Sequence, residues 1–311
     1  MDDKKRLVII QPALGRYRRG FVESLVAQNQ EYEISIFCSP VDNAGVSSME
    51  TINNEVLYRK VDMISFFGMF FWQKLVSEVW KMGLVSGDAL VINGNPRFLS
   101  SLIVSILYKL KGVSVFWWGH AWSSTSSKPG SYIRFKIMNL FNVILYTEEE
   151  IELSKNLISS PVTALNNGLD IGLIRKGFTF EVEKYSSSNF TVAFLGRHTS
   201  KSNFGLLVEA LLLLPKELSK SISLMVIGDI EPIEIHRNYS GSESLDLNFL
   251  GEIWDEMEIT FVMSKAHAFV YPGSVGLSLI HAFALGLPAI VHTFNTADMA
   301  RRFLDFIGEQ K

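Results

Sequence analysis

Two doubly wound α/β domains facing one another across a cleft are the architecture this sequence predicts, on three observations. Short β-branched runs alternate with helix-length amphipathic stretches, the pattern of parallel sheets wrapped by helices. That pattern pauses once, in a polar stretch between residues 166 and 189, and then restarts. The chain's 311 residues, 48% of them hydrophobic, suffice for two cores of ordinary size.

In the first half the strand-forming runs are RLVIIQ (6–11), EISIFC (33–38), EVLYRKV (55–61), ALVING (89–94), VSVFWWG (113–119), VILYT (143–147) and PVTAL (161–165), with helices in most gaps. The second half offers TVAFLGR (191–197), ISLMVIGD (222–229), LNFLG (247–251), AHAFVYP (266–272) and LPAIVH (287–292). Between them, NNGLD (166–170) through EKYSSSN (183–189) has the Gly and Ser content of a linker. The domains are therefore residues 1–168 and 169–311. A cleft between them is the expected ligand site, because open α/β sheets bind at the carboxyl ends of their strands.

Composition narrows the chemistry. The single cysteine, Cys38, excludes an intramolecular disulfide framework and fits a reducing compartment. The first domain carries a net charge of +2 and the second −5, which is no nucleic-acid footprint. The start, MDDKKRLVII, lacks the apolar stretch of a secretion signal. The most apolar segments, ISFFGMFFW (64–72) and FLSSLIVSILY (98–108), fall short of the roughly 20 residues a bilayer span needs. A soluble or peripheral protein is expected. No GxGxxG follows the first strand and no Walker A motif is present, since QPALGRYRRG offers only Gly15 and Gly20.

Two stretches carry candidate chemistry. FLGRHTSK (194–201) ends a strand at Gly196 and supplies Arg197 and Lys201 before a helix begins near Asn203. Two cations at a sheet's carboxyl edge can neutralise a diphosphate, although a solvated loop with ordinary surface charges reads the same way. PGSVGLSLIH (272–281) is a strand end, a glycine loop and a helix whose first amides come from Gly276, Leu277 and Ser278. Such a terminus attracts anions, or Ser274 could cap it. His281 is the only ionisable residue between Tyr271 and Val291. Three residues from Ser278, it shares that side chain's helical face and looks toward whatever the loop binds. The alternative is a core histidine bonded to a carbonyl.

In order, GR, a basic residue, LLVEAL (206–211), VIGD, FLG, a strand ending in YP and GLSLIHAFALGLPAIV resemble the nucleotide-binding domain of GT-B glycosyltransferases. The resemblance is strongest to the retaining transferases of family four, the glycosyl transferases group 1, and covers nearly all of the second half. NNGLD resembles that family's domain junction, and WGHAW (118–122) its acceptor-side histidine loop. The resemblance implies two Rossmann-like domains. Arg197 and Lys201 would hold the donor diphosphate, assisted by Gly196 and the amides of Gly276 and Leu277, beside Ser274 and Ser278. Gly15 would approach the diphosphate, and His120 would contact the donor sugar near the reacting carbon unless it stacks among Trp117, Trp118 and Trp122. Arg16, Arg18 and Arg19 would meet an acidic acceptor or solvent.

Three departures from the family pattern stand out. Counting back from LLVEAL, the usual lysine column falls on Ser202, so Lys201 is displaced by one. The two glutamates the family usually carries correspond here to Gly273 and His281, so the sugar-side carboxylate is lost while His281 can still bond a ribose hydroxyl. After LPAIVH only enough chain remains for one helix, NTADMARRFLDFIGEQK, where the family continues with a last strand and a helix crossing back to the first domain. The expectation is a truncated domain with impaired stability or activity.

The implied activity is transfer of a sugar from a nucleotide-sugar donor to a surface polysaccharide or lipid-linked acceptor, with retention, in the cytoplasm at the inner face of the membrane. No Asp-x-Asp pair occurs, so no metal or other cofactor is expected; fixed cations and amide dipoles would stabilise the departing phosphate. The stretch FLSSLIVSILYKLK (98–111) could rest on a membrane, although an ordinary buried helix is the simpler reading. The competing hypothesis is a non-catalytic GT-B remnant acting as a binding or partner subunit. A nucleotide-sugar epimerase is a more distant third.

Overall fold

The computed structural model describes residues 4–123, 128–177 and 189–291, apart from Ala44, Asn53, Asn167 and Asp170. These residues form two compact units, one up to residue 166 and one from residue 168.

The first unit is built on a seven-stranded sheet made from β1 (Lys5–Ile10), β2 (Tyr32–Cys38), β3 (Leu57–Lys60), β6 (Ala89–Asn93), β7 (Ser114–Trp118), β8 (Asn142–Leu145) and β9 (Val162–Ala164). Their order is β3-β2-β1-β6-β7-β8-β9, and every pairing is parallel. Each strand lies on one of the seven runs read from the sequence. Residues of β1 alternate between two cores, Val8 and Ile10 in one and Ile9 in the other, as a sheet covered on both faces requires. Its helices are α1 (Arg19–Gln28), α2 (Val76–Lys81), α3 (Leu99–Leu110), α4 (Lys128–Met138) and α5 (Glu148–Ser154). The winding reverses between β1 and β6, so the loops after those strands flank the switch point where such sheets take ligands.

One element departs from the sequence reading. The apolar run at 64–72 holds an antiparallel hairpin, β4 (Met63–Phe66) and β5 (Phe70–Gln73). Its turn is closed by the amide of Met69 donating to Phe66 O at 3.0 Å, with Phe67 at φ 52° and Gly68 at φ 64°. Asn or Asp before the glycine would mark such a turn; Phe in that place hides it.

The second unit carries β10 (Phe190–Leu195), β11 (Ile222–Ile227), β12 (Asp246–Phe249), β13 (Ala268–Tyr271) and β14 (Ala289–Val291), in the order β12-β11-β10-β13-β14 and all parallel. Five predicted runs became five strands. The switch point here lies between β10 and β13. Helices α6 (Ile171–Gly177), α7 (Phe204–Leu212), α8 (Lys216–Ser219), α9 (Pro232–Asn238), α10 (Glu256–Met263) and α11 (Ser278–Ala284) complete the unit. Part of the expected linker is thus helical: α6 packs against α10 and α11 and buries Ile174 in the core. Residues 178–188 of that linker, and the closing helix expected after LPAIVH, lie outside the described residues. Among the described residues no helix is long and apolar enough to cross a membrane.

Candidate functional site

At the carboxyl edge of the second sheet, three loops interlock through glycines. Gly196 ends β10, and its amide bonds Ile227 O at 2.9 Å. A Cβ on Gly196 would stand 2.8 Å from the Tyr271 ring, and one on Gly228 only 1.9 Å from Gly196 O. Tyr271 stacks on Phe194 at 5.0 Å with 8° between planes, which fixes the ring against the loop. Burial raises the phenol's pKa, and the charge of Arg197 pulls it back down, so the guanidinium lies near this edge. The His198 amide donates to Asp229 just after β11, tying the second loop to the first.

The loop after β13 is pinned to the same place. A Cβ on Gly273 would lie 2.0 Å from Lys201 O and 2.5 Å from the Ser202 carbonyl carbon, and the Ser274 amide donates to Lys201 O at 2.8 Å. Gly273 is required by this contact, which also removes the room a carboxylate side chain would need. Ser202 is fully buried, with Oγ donating to Thr199 O at 2.7 Å, whereas Lys201 is exposed. The serine in the lysine column points into the turn and Lys201 points out of it. Arg197, Lys201, Gly196, Gly273 and Ser274 therefore gather on one edge, with Gly276, Leu277 and Ser278 continuing from it.

Two expectations need correction here. Ser274 does not cap α11: Leu277 occupies the cap position with no side-chain bond, and the first i−3 bonds come from Leu279 and Ile280. His281 does not face the loop. It is buried, with Nε2 2.6 Å from Glu256 Oε2 on α10 and Nδ1 enclosed without a hydrogen-bond partner. A carboxylate accepts only, so the shared proton sits on Nε2. Its partner among the described residues is a side chain on a neighbouring helix, where the sequence allowed a carbonyl.

The first unit presents the other predicted histidine differently. His120 follows β7 and is exposed, its Nδ1 2.8 Å from Glu150 Oε1 and its ring 4.3 Å from that of Tyr146. Its ring lies tilted at 55° to that of Tyr146, which packs on Trp118 in turn. Glu150 also accepts from the amides of Ala121 (3.3 Å) and Tyr146 (3.0 Å). Below, a Cβ on Gly119 would stand 2.6 Å from the Gly94 Cα, so the loops after β6 and β7 touch backbone to backbone. Arg134 of α4 clamps them, donating to Gly94 O at 2.7 Å and His120 O at 3.0 Å. Burial, then the nearby charge of Arg97, lowers its pKa to about 10, and it stays a cation at neutral pH. His120 thus offers Nε2 outward from a rigid mount.

At Gly15 a Cβ would stand 2.5 Å from the ring of the exposed Tyr17, so this glycine lets that side chain fold back over the loop. Arg18 is buried, caged by Trp118 at 4.5 Å and Tyr146 at 5.8 Å and bonded to the Tyr146 hydroxyl at 3.1 Å. It is a cation held within the fold and withdrawn from solvent.

Sequence reading missed Glu150, Arg134, Asp229 and Glu256. Glu150 had a signal: Thr147-x-x-Glu150 is a capping-box spacing, and Thr147 Oγ1 does cap α5 by accepting from the Glu150 amide at 3.2 Å. Nothing in spacing links Glu256 to His281. Among the described residues, no three His, Cys, Asp or Glu side chains cluster as metal ligands would.

Two doubly wound parallel sheets, each with its polar loops at the carboxyl edge, define the GT-B fold of glycosyltransferases. Solved structures agree. HepE of Anabaena, crystallised with UDP and glucose, aligns over 95% of this chain and 82% of its own with a TM-score of 0.63 at 13% identity. A glycosyltransferase of Rickettsia africae aligns over 94% and 80% with a TM-score of 0.66 at 16% identity. WaaG, a glycosyltransferase involved in lipopolysaccharide biosynthesis, aligns over 92% and 80% with a TM-score of 0.60 at 13% identity. No curated protein matches the sequence. Residues 189–302 match the family model "Glycosyl transferases group 1".

Proposed function

We propose that the protein is a retaining, metal-independent glycosyltransferase that moves a sugar from a nucleotide donor to a surface-polysaccharide or lipid-linked acceptor at the inner face of the membrane. The observation that carries this reading is that the family match contains the loops after β10 and β13, which meet at the switch point of the second sheet. Arg197 and Lys201, with the amides of Gly276, Leu277 and Ser278, hold the diphosphate and neutralise the charge that develops as the bond to the anomeric carbon breaks. His120 serves the sugar, its tautomer fixed by Glu150. The acceptor hydroxyl forms the new glycosidic bond on the face the diphosphate leaves, and the departing phosphate oxygen takes the hydroxyl proton.

Supporting the reading, HepE was crystallised with UDP-glucose as well as UDP. A second reading, a nucleotide-binding partner subunit without turnover, is favoured by one feature: the backbone of Lys201 and Ser202 fills the place of a side chain at position 273. Screening UDP-, GDP- and other nucleotide sugars for binding and for slow hydrolysis, with membrane extract as the acceptor source, separates the two. Turnover that Arg197→Ala lowers at least about a hundredfold supports the enzyme. Binding without turnover supports the partner subunit, and absence of all nucleotide binding overturns both.

A further inference from the structure

The β4–β5 hairpin has no role in the chemistry above, and its surface is unusual. From Met63 to Gln73 the chain contains no ionisable residue. The cross-strand pairs Ile64–Trp72 and Phe66–Phe70 lie on one face of the ribbon, with Ile64, Phe66 and Phe70 each exposed by 40% or more. At the turn Met69 is 53% exposed and Phe67 91%. The opposite face is anchored: Phe71 is buried against Phe98, and the buried Gln73 side chain donates to Gln11 O at 2.9 Å and Ser39 Oγ at 3.0 Å. A firmly held base and a bare aromatic tip are therefore built into one ribbon.

Its position gives the tip a use. Gln11 begins the loop after β1, and the Phe71 amide donates to Arg97 O in the loop after β6, so the hairpin springs from the carboxyl edge of the first sheet beside its switch point. The loop 11–18, the start of α1 at Arg19 and the loop 94–98 hold the exposed side chains of Arg16, Arg19 and Arg97 and contain no acidic residue. Helix α3, which packs against β5, buries Ser100, Ser101 and Ser105 and turns Ile103, Ile106, Leu107 and Leu110 outward at helical spacing. The segment flagged in the sequence is thus half-buried, with its apolar stripe on the solvent side.

We propose that the β4–β5 hairpin is a membrane-docking element, in which Phe66, Phe67, Met69 and Phe70 enter the headgroup–acyl boundary of an anionic bilayer while Arg16, Arg19 and Arg97 meet lipid phosphates. A convex, charge-free aromatic tip with cations behind it suits that interface, where rings sit at headgroup level and each nearby cation adds electrostatic attraction. A patch of this kind left in water marks an interaction site. Docking would hold the carboxyl edge of the first sheet, with His120, at the depth of a lipid-linked acceptor's headgroup. That consequence rests on the transferase reading; the docking itself does not.

Phe67→Asn tests it, because Asn at a positive φ before glycine suits this turn better than Phe and leaves folding intact or improved. Wild-type protein should float with vesicles of phosphatidylglycerol and phosphatidylethanolamine and not with phosphatidylcholine alone. Phe67→Asn with Met69→Ser should reduce flotation by about tenfold or more. Leu213→Ser, which removes an 86% exposed side chain from the second unit, should not reduce it. Equal flotation of wild type and hairpin variant overturns the proposal, as does failure of the wild type to float. A lipid-free dimer that Phe67→Asn dissociates also overturns it, in favour of a second copy as the occupant. Nucleotide binding in solution, measured on the same proteins, reports on the transferase reading separately, so docking survives if that reading fails.

Discussion

The His120–Glu150 pair of the first unit and the His281–Glu256 pair of the second are built in opposite senses. In the first, His120 is 64% exposed and Glu150 15%, with 2.8 Å between them. In the second, His281 is 6% exposed and Glu256 23%, at 2.6 Å. The carboxylate of the first pair is the anchor, fixed by two backbone amides, and the imidazole is what a ligand would meet. In the second pair the imidazole is the anchor and joins two helices. The same two residue types thus yield a presented histidine and a structural one, and burial, not identity, decides which. His281→Ala should therefore cost about 3 kcal/mol of the second unit's stability, since it opens a cavity and strands Glu256 beside it. His120→Ala should cost less than about 0.5 kcal/mol. Urea unfolding of the two variants measures this, and equal losses would remove the distinction.

A parallel contrast lies in the glycines that bring edge loops together. Gly94 and Gly119 meet backbone to backbone and are clamped by Arg134, while Gly273 meets the Lys201–Ser202 turn and is tied to it by the Ser274 amide. A side chain forced into the second junction should shift the loop that carries Arg197 and Lys201. Gly273→Ala should cost about 2 kcal/mol from forced backbone displacement and weaken binding of the donor nucleotide several-fold. Calorimetric titration with UDP and GDP reads the binding, and unchanged affinity would mean that this loop does not hold the nucleotide.

The twelve main-sheet strands were legible because each is a short β-branched run between polar breaks; parallel strands buried on both faces read as continuous apolar runs, so length and β-branching rather than period mark them. The hairpin was not, since Phe67 takes a turn position that only Asn, Asp or Gly would advertise. At the candidate site, Gly196, Arg197, Lys201 and Gly273 were legible as a motif around strand ends. What they touch was not. The reason for Gly273 is the backbone of Lys201, more than seventy residues away in sequence, and the partner of His281 sits on another helix 25 residues earlier. Periodicity placed His281 on a face correctly shared with Ser278 but could not say whether that face looked out or in. Packing of α10 against it settles the matter.

The mildest test of the contrast concerns Glu150. Gln is nearly isosteric, so Glu150→Gln keeps an oxygen that can accept from the amides of Tyr146 or Ala121 but loses the charge and the second acceptor that hold the His120 N–H. Its stability cost should be about 1 kcal/mol, set by one weakened charge-assisted bond. The ring of His120 would remain on Tyr146 but lose its fixed tautomer, so turnover should fall about tenfold with little change in nucleotide affinity. A fall in kcat without a shift in nucleotide affinity marks Glu150 as a positioning residue for His120. A loss of stability with unchanged kcat would make this pair, like that of His281, a structural pin.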